Sequence, residues 1–277
     1  MDIPSHVIEL IKYAIEEDVG HGDITTNLLV PETNESKALY IAKGNFVLAG
    51  MPFAEKVFSI LDATVSFKIF YNDGARVSKG DVLAEVVGKT RVLLAGERIS
   101  LNILQRLCGI ATLTSQYVDT VRGTRAKILD TRKTTPCHRF MEKYAVRVGG
   151  GTNHRFGLYD GILIKDNHIE EVGSIGEAVR SAKFGHHLAR IEVEVENLKE
   201  LQEAIEAGAD IVMLDNMSTR DMAEAVAYAS GRVTIEASGN ISLENVREVA
   251  ETGVDLISVG ALTHSAVAAD ISMKIVK

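Results

Sequence analysis

The pattern of apolar and polar positions changes twice along the chain. From Val7 to Ile15 apolar residues recur every three or four positions, which predicts an amphipathic helix that ends before Gly20. Runs of β-forming residues then predict strands at 37–43, 45–49 and 64–70. The first third of the chain is therefore predicted to be a mixed sheet with helices.

From residue 90 to about residue 120 the apolar positions return to helical spacing, which predicts one or two helices. Short apolar runs beyond this point alternate with helical stretches. The predicted strands are 126–129, 162–164, 191–195, 211–214, 233–235 and 256–259, and the predicted helices are 198–207, 221–229 and 243–251. Strands separated by single helices pair in parallel, because each helix returns the chain to the same end of the sheet. Six or seven such units predict an incomplete α/β barrel, with an open doubly wound sheet as the alternative.

Composition narrows the class of protein. The 277 residues are 46% hydrophobic and 25% charged, with a net charge of −8, which is typical of a compact globular enzyme and disfavours a general nucleic-acid binder. Cys108 and Cys137 form no CxxC pair, so a reducing, cytoplasmic setting is expected. The first residues are not typical of a signal peptide, and no apolar run is long enough to span a bilayer.

Polar residues follow nearly every predicted strand of the barrel. They occupy 130–133, 165–168, 194, 215–216 and 236–240. In α/β barrels the carboxyl ends of the strands form the active site, so five such groups at equivalent positions predict a shared pocket. Taken singly, each group is better explained as a solvated loop charge.

Cationic residues are concentrated between Arg122 and His168. This stretch holds ten Lys and Arg residues but only four Asp and Glu residues, in a chain that is acidic as a whole. Such a patch is suited to a highly anionic small molecule, since guanidinium groups pair with carboxylates. A nucleic-acid surface is the rival interpretation, which the strand-end positions and the few aromatic residues disfavour.

Three further features predict parts of a ligand site. The glycines 149–151 before His154 permit close backbone approach, although His154 alone has an even chance of being a structural histidine. Loops after two late strands, at 238–240 and at 260–261, match where barrels bind phosphate. Glu194 and Asp215 offer hard oxygen atoms for Mg²⁺ or for ribose hydroxyls, but no dense metal motif is present, so a metal carried in with pyrophosphate is expected.

Several motifs together resemble the quinolinate phosphoribosyltransferase family. They are Asp-Thr-Arg-Lys-Thr-Thr-Pro at 130–136, Glu-Lys-Tyr-Ala-Val at 142–146, Gly-Gly-Gly-Thr-Asn-His-Arg at 149–155, Leu-Ile-Lys-Asp-Asn-His at 163–168, Glu-Asp-Val-Gly-His-Gly-Asp-Ile-Thr at 17–25 and Glu-Arg-Ile-Ser-Leu-Asn at 97–102. The resemblance runs almost end to end and in order. It implies transfer of a phosphoribosyl group from phosphoribosyl pyrophosphate to quinolinate with decarboxylation, which gives nicotinate mononucleotide.

The resemblance also implies an architecture. It predicts an N-terminal α/β sandwich-like domain at 1–108, to which residues 270–277 return, and an incomplete, about seven-stranded α/β barrel at 109–269, as in type II phosphoribosyltransferases. The expected assembly is a homodimer, or a hexamer built from dimers, in which Arg98 of one subunit completes the site of another. Arg98 by itself is better explained as a helix-surface ion-pair residue.

Site residues are carried over motif by motif. The expected quinolinate pocket consists of Thr131, Arg132, Lys133, His154, Arg155 and Lys165. Glu194 and Asp215 are expected to face the ribose and Mg²⁺-pyrophosphate, and they act with Lys133 and Lys165 as the catalytic set. The 5′-phosphate is expected at Ser238, Gly239, Asn240, Val259, Gly260 and Ala261.

One departure and three alternatives remain open at this point. Cys137 follows Pro136 where the family more often has glycine, which puts the local loop shape in doubt but not the reaction. A related phosphoribosyltransferase could use another acceptor. A barrel aldolase or isomerase could use Lys165 as a Schiff base, and a non-catalytic sensor would bind quinolinate without consuming the donor.

Overall fold

The chain divides into two compact units in a computed structural model that describes residues 2–185 and 188–276. The first unit comprises 1–113, 135–149 and 266–277, and the second comprises 114–134 and 150–265. The boundaries predicted from the sequence stay predictions, and Met1 and Lys277, at the ends of those ranges, lie outside the described residues. Among the described helices, none is long and apolar enough to cross a membrane.

Helices and strands alternate along the whole chain. In order they are α1 Ser5–Val19, α2 Ile24–Leu29, β1 Glu35–Ala42, β2 Phe46–Val47, α3 Met51–Leu61, β3 Ser66–Ile69, β4 Arg76–Val77, β5 Val82–Lys89, α4 Thr90–Thr120, β6 Lys127–Leu129, α5 Arg139–Val148, β7 Ile162–Ile164, α6 Asp166–Val172, α7 Ile175–Gly185, β8 Ile191–Val195, α8 Leu198–Ala207, β9 Ile211–Asp215, α9 Thr219–Ala229, β10 Thr234–Ser238, α10 Val246–Glu251, β11 Leu256–Ser258, α11 Ala261–His264 and β12 Ile271–Val276. The predicted one or two helices after residue 90 are a single helix, α4.

The first unit is built on an antiparallel sheet with the strand order β12-β1-β5-β3. In β1 the residues Ala38, Tyr40 and Ala42 are buried while their neighbours are less so, which is the alternation expected of a sheet with one covered face. Phe58 of α3 and Leu104 of α4 pack into the same apolar core. The last strand, β12, supplies one edge of this sheet by pairing antiparallel with β1.

The second unit contains a six-stranded parallel sheet with the order β6-β11-β10-β9-β8-β7. From β7 to β11 the neighbours follow chain order, and β6, the first strand, pairs with β11, the last. This order is that of a barrel, because a doubly wound sheet would reverse direction in its middle. Thr152 adds only an isolated parallel bridge to Leu129, so the expected seventh strand is reduced to one residue pair.

Local signals fix the helices that separate these strands. The Asn197 side chain accepts hydrogen bonds from the backbone N–H groups of Lys199 and Glu200 at the start of α8, and Gly208 ends that helix in the left-handed region. Ser218 caps α9 in the same way through the backbone N–H of Asp221. Each helix therefore starts shortly after the carboxyl end of a strand, and this leaves the strand-end side chains on one edge of the sheet.

Candidate active site

A cavity of about 540 Å³ in the second unit is lined by residues at the carboxyl ends of the parallel strands. Most of the predicted site residues meet there. They are Thr131, Arg132, Lys133, His154, Arg155, Lys165, Glu194, Asp215, Ser238, Gly239 and Asn240. Most of these residues come from the carboxyl ends of five strands, β6 to β10, while His154 and Arg155 follow the bridge residue Thr152, so their convergence is a property of the fold and not of any one motif.

The loop after β6 carries Lys133 and is held at two points. The backbone N–H of Lys133 donates to Thr131 Oγ1 over 3.0 Å, and the hydroxyl of Thr263 donates to the Lys133 carbonyl over 2.8 Å. Both bonds occupy backbone groups of Lys133 and leave its ammonium group available for a ligand. A compact point charge on a fixed loop is suited to an anionic oxygen.

Two cations and one acid define the next part of the cavity. Lys165 Nζ lies 2.7 Å from Glu194 Oε2, and this ion pair holds the lysine side chain across the strand ends. Arg155 donates from a terminal nitrogen to the Gly161 carbonyl over 3.1 Å. Burial and the neighbouring Arg132 lower the pKa of Arg155, whereas the Glu192 carboxylate opposes that change. The guanidinium groups of Arg132 and Arg155 are therefore close enough to repel each other. A bound dianion would offset this repulsion, because it would offer a negative charge to each of them.

The loop after β10 shows why glycine is needed there. Gly239 has a φ of +91°, and a Cβ added to it would lie 2.3 Å from Asn216 Oδ1. The side-chain amide of Asn240 donates to the same oxygen over 2.9 Å, and Asn240 itself is in the left-handed region. Any residue larger than glycine at 239 would break this contact.

Four predicted site residues do not line this cavity. Val259 is buried, and its backbone N–H donates to the Leu129 carbonyl, so that group is already used within the sheet. Gly260 and Ala261 follow it at the start of α11, and a Cβ on Gly260 would lie 3.1 Å from Lys133 Cδ. Arg98 belongs to the first unit, where it is exposed and lines a separate cavity of about 500 Å³. The roles predicted for these four residues stay predictions.

Sequence reasoning missed a buried cluster behind the cavity. His154 Nε2 lies 3.0 Å from Glu192 Oε2 and 3.8 Å from Glu236 Oε1. Burial and, after it, the adjacent Glu192 carboxylate raise the pKa of Glu236 to about 8, and His154 and the hydroxyl of Ser258 oppose part of this rise. The available signal was the spacing in β8, since Glu192 and Glu194 share one face of a strand whose other face is apolar.

The arrangement defines a class of protein before any relative is considered. A barrel-ordered parallel sheet presents four cations, two carboxylates and a glycine-containing loop to one cavity. Such a cavity can hold a small molecule with several negative charges and stabilise charge that develops on it. The second unit is therefore an α/β barrel of the enzyme type, with a site for anionic small molecules.

Comparison with known proteins gives the family. The chain matches the C-terminal domain of quinolinate phosphoribosyl transferase over residues 110–274 and the N-terminal domain over residues 23–108. The chain belongs to the quinolinate phosphoribosyl transferase family.

Individual relatives agree over nearly the full length. The chain is 45% identical over 268 residues to a probable carboxylating nicotinate-nucleotide pyrophosphorylase of Bacillus subtilis, which covers 96% of this chain and 92% of the relative. It is 40% identical over 289 residues to a decarboxylating quinolinate phosphoribosyltransferase of Nicotiana tabacum, with 96% and 81% covered. The solved structure of the nicotinate-nucleotide pyrophosphorylase from Francisella tularensis has a TM-score of 0.96 and 43% identity, with 99% and 98% covered.

Proposed function

We propose that this protein transfers the phosphoribosyl group of phosphoribosyl pyrophosphate to quinolinate, with release of pyrophosphate and CO₂ and formation of nicotinate mononucleotide for NAD biosynthesis. The observation that carries the proposal is the convergence of Arg132, Lys133, Arg155 and Lys165 in one cavity. The family membership and the names of the relatives support the same reaction.

The cations suit the charge of both substrates. Quinolinate carries two carboxylates on adjacent ring carbons, and Arg132 with Arg155 offers two planar donors that can each pair with a carboxylate. Lys133 lines the same cavity and is proposed to contact the dianion as a point charge. The loop 238–240 is the part of the cavity that suits the 5′-phosphate, because Gly239 allows its backbone to come close to a ligand.

The reaction requires positioning and charge stabilisation. The pyridine nitrogen attacks the anomeric carbon while the bond from that carbon to pyrophosphate breaks. Lys165 is proposed to neutralise the leaving group, and Glu194 and Asp215 are proposed to stabilise the electron-poor ribose. The ring nitrogen then carries a positive charge. As CO₂ departs from the adjacent ring carbon, the electron pair of the broken bond stays on that carbon, where the neighbouring positive charge stabilises it, and a proton then adds to the same carbon.

Mg²⁺ is proposed to enter with phosphoribosyl pyrophosphate. Oxygen atoms suit this ion, and both acids at the site are already engaged: Glu194 Oε2 with Lys165, and Asp215 Oδ2 with the Asn216 side-chain amide over 2.9 Å. These carboxylates therefore fit an ion reached through its water shell better than one bound directly. When bound, Mg²⁺ would neutralise charge on the pyrophosphate.

A homodimer, or a hexamer built from dimers, is proposed as the assembly, with Arg98 of one subunit acting in the site of another. Exposed apolar side chains in the first unit, Tyr13, Ile24 and Leu28 among them, support an interface. The test is to mix Arg98→Ala with Lys165→Ala, each inactive alone, under conditions of proven subunit exchange. Partial recovery of activity supports a shared site, and none contradicts it.

The free thiols of Cys108 and Cys137 support a cytoplasmic location.

The reaction itself is tested with purified protein, quinolinate, phosphoribosyl pyrophosphate and Mg²⁺. Nicotinate mononucleotide is followed by chromatography and CO₂ is measured as it is released, with nicotinate as the control acceptor. Equal amounts of both products from quinolinate alone support the proposal. Binding of quinolinate without products would indicate a sensor or another acceptor, and no binding would contradict the anion site. Trapping of Lys165 by borohydride with a carbonyl substrate would indicate an aldolase instead.

A further inference from the structure

The cluster of His154, Glu192 and Glu236 has no part in the mechanism given above. Glu192 and Glu236 are 5% and 1% exposed, and only His154 of the three lines the cavity. The two acids belong to β8 and β10, which are separated by β9, so their carboxyl groups meet only because the sheet curves. One ligand-type atom from each of the three residues lies within 4.8 Å of the others.

The hydrogen bonds of His154 assign its proton. The backbone N–H of Arg155 donates to His154 Nδ1 over 2.8 Å. A ring nitrogen that accepts a hydrogen bond carries no proton, so the proton of the neutral ring is on Nε2, from which it reaches Glu192 Oε2 over 3.0 Å. A metal on Nε2 would need the lone pair of that nitrogen. The cluster is therefore built for a hydrogen bond and not for a metal ion.

The two carboxyl groups require one proton between them. Within the described residues, Glu192 Oε1 and Glu236 Oε1 are buried and have no hydrogen-bond partner. Two carboxylates buried this close cannot both be ionised, because their repulsion is not screened by water. A single proton removes that repulsion and supplies a donor for one of the unpartnered oxygens. The high pKa of Glu236 agrees with its carrying that proton.

The charge that remains acts on the anion site. With His154 neutral and one acid protonated, the cluster carries one negative charge. The Glu192 carboxylate favours the charged form of Arg155, which burial and Arg132 disfavour. One charge is thus enough to hold Arg155 beside Arg132. A second would weaken the positive potential that attracts a dianion.

We propose that Glu192 and Glu236 are positioning residues for the quinolinate site: they share one proton behind the cavity, orient His154 by accepting a hydrogen bond from its Nε2–H, and supply a single countercharge for Arg155. The kinetic consequence rests on the proposed function. Loss of the shared proton adds a second negative charge behind Arg155 and weakens the binding of quinolinate. The groups that face Glu236 are Glu192 from β8, Ser258 from β11 and His154.

The test compares the pH dependence of KM in the wild type and in Glu236→Gln. Glutamine has the size of the protonated acid, can donate to Glu192 and has no proton to lose. For the wild type we expect the KM for quinolinate to rise up to about tenfold between pH 7.5 and pH 9, and for Glu236→Gln to show no such rise. The exposed Glu224→Gln is the matched control and should follow the wild type.

The outcomes separate this inference from the proposed function. If the wild type neither binds nor consumes quinolinate, the proposed function fails. If it turns quinolinate over and Glu236→Gln keeps the wild-type rise in KM, the proton-sharing pair is overturned. Should Glu236→Gln fail to fold, carbon-13 resonances of the wild-type glutamates decide: a carboxyl protonated at pH 7 supports the pair, and full ionisation at pH 6 overturns it. Binding of one Zn²⁺ per chain, lost in His154→Ala, would also overturn it.

Discussion

The two sheets of this protein are built from similar residues but are used differently. The sheet of the first unit packs aliphatic and aromatic side chains into a core, and one polar contact within that core is a hydrogen bond between the hydroxyls of Tyr40 and Ser100. The sheet of the second unit carries buried acids within its strands and charged residues at their ends. The first sheet therefore contributes to stability by burying apolar side chains. The second sheet buries carboxyl groups, which is unfavourable for folding, next to a cavity that can bind a ligand.

The largest loss of stability is expected from a substitution in the core between the first sheet and helix α3. Phe58 is fully buried and its ring lies 5.9 Å from that of Phe67. Phe58→Ala should lower the free energy of unfolding by about 3–5 kcal/mol, because it removes apolar contacts and leaves a cavity. Denaturant unfolding measures the loss. Phe70→Ala, in the same unit just beyond β3 but 43% exposed, is the control and should lose far less; equal losses in the two variants would contradict this expectation.

In the second sheet the expected effect is on catalysis. Arg155→Ala should reduce kcat/KM for quinolinate by about 10²–10³-fold, as the loss of one preorganised donor to developing charge does elsewhere. Steady-state kinetics measures it, with the unfolding midpoint as a check on folding. The exposed Arg220→Ala in the same unit should keep the wild-type rate. Unchanged turnover in Arg155→Ala would remove the proposed pocket.

The buried acid should leave a signature in stability. The pKa of Glu236 is raised to about 8 in the folded protein from the ordinary value of 4.5, so between these values the folded state binds more protons than the unfolded state. The stability that the protonated Glu236 contributes to the folded state is fully present below pH 4.5 and is lost as the pH rises through about 8. Glu236→Gln should therefore gain on the wild type as the pH rises, by at most about 1.4 kcal/mol per pH unit. Parallel stability curves would contradict this.

The smallest effect concerns a loop that belongs to neither sheet. Cys137 has a φ of +65°, a left-handed conformation that disfavours any residue with a Cβ. Cys137→Gly should raise the free energy of unfolding by up to about 1 kcal/mol, since the relief of strain exceeds the entropy that glycine adds to the unfolded chain. Cys137→Ala keeps the Cβ and should give no gain. A gain in both variants would point to the thiol instead.

Much of the fold could be predicted because each strand of the second sheet is a short apolar run between polar segments. The predicted strand 162–164 and the predicted helix 198–207 match β7 and α8, since charged or glycine residues bound both segments. The strand β5 was missed: the Lys-Gly-Asp sequence at 79–81 is typical of a turn, and the eight-residue run that follows it was not assigned. The helix α5 was also missed, because its basic residues were considered only as part of the cationic stretch 122–168 and not for their helical spacing.

The charged residues that line the cavity could be predicted from the sequence, but the buried cluster behind the cavity could not. Strand-end positions indicated Arg132, Lys165 and Glu194, because parallel strands end at a common edge. No local pattern shows that Glu192 and Glu236 meet, since two strands with a third between them approach only through the curvature of the barrel. Their shared proton depends on burial, which sequence spacing does not report.

The pairing of β12 with β1 has a consequence for folding during synthesis on the ribosome. All six strands of the parallel sheet emerge before residues 271–276 do, whereas β1 must wait for them to complete its hydrogen bonds. The parallel sheet can therefore assemble while the antiparallel one still has an open edge. Closing that edge joins residues more than 200 positions apart, so the final step is expected to be slow and to be the stage at which the nascent chain is most prone to aggregation.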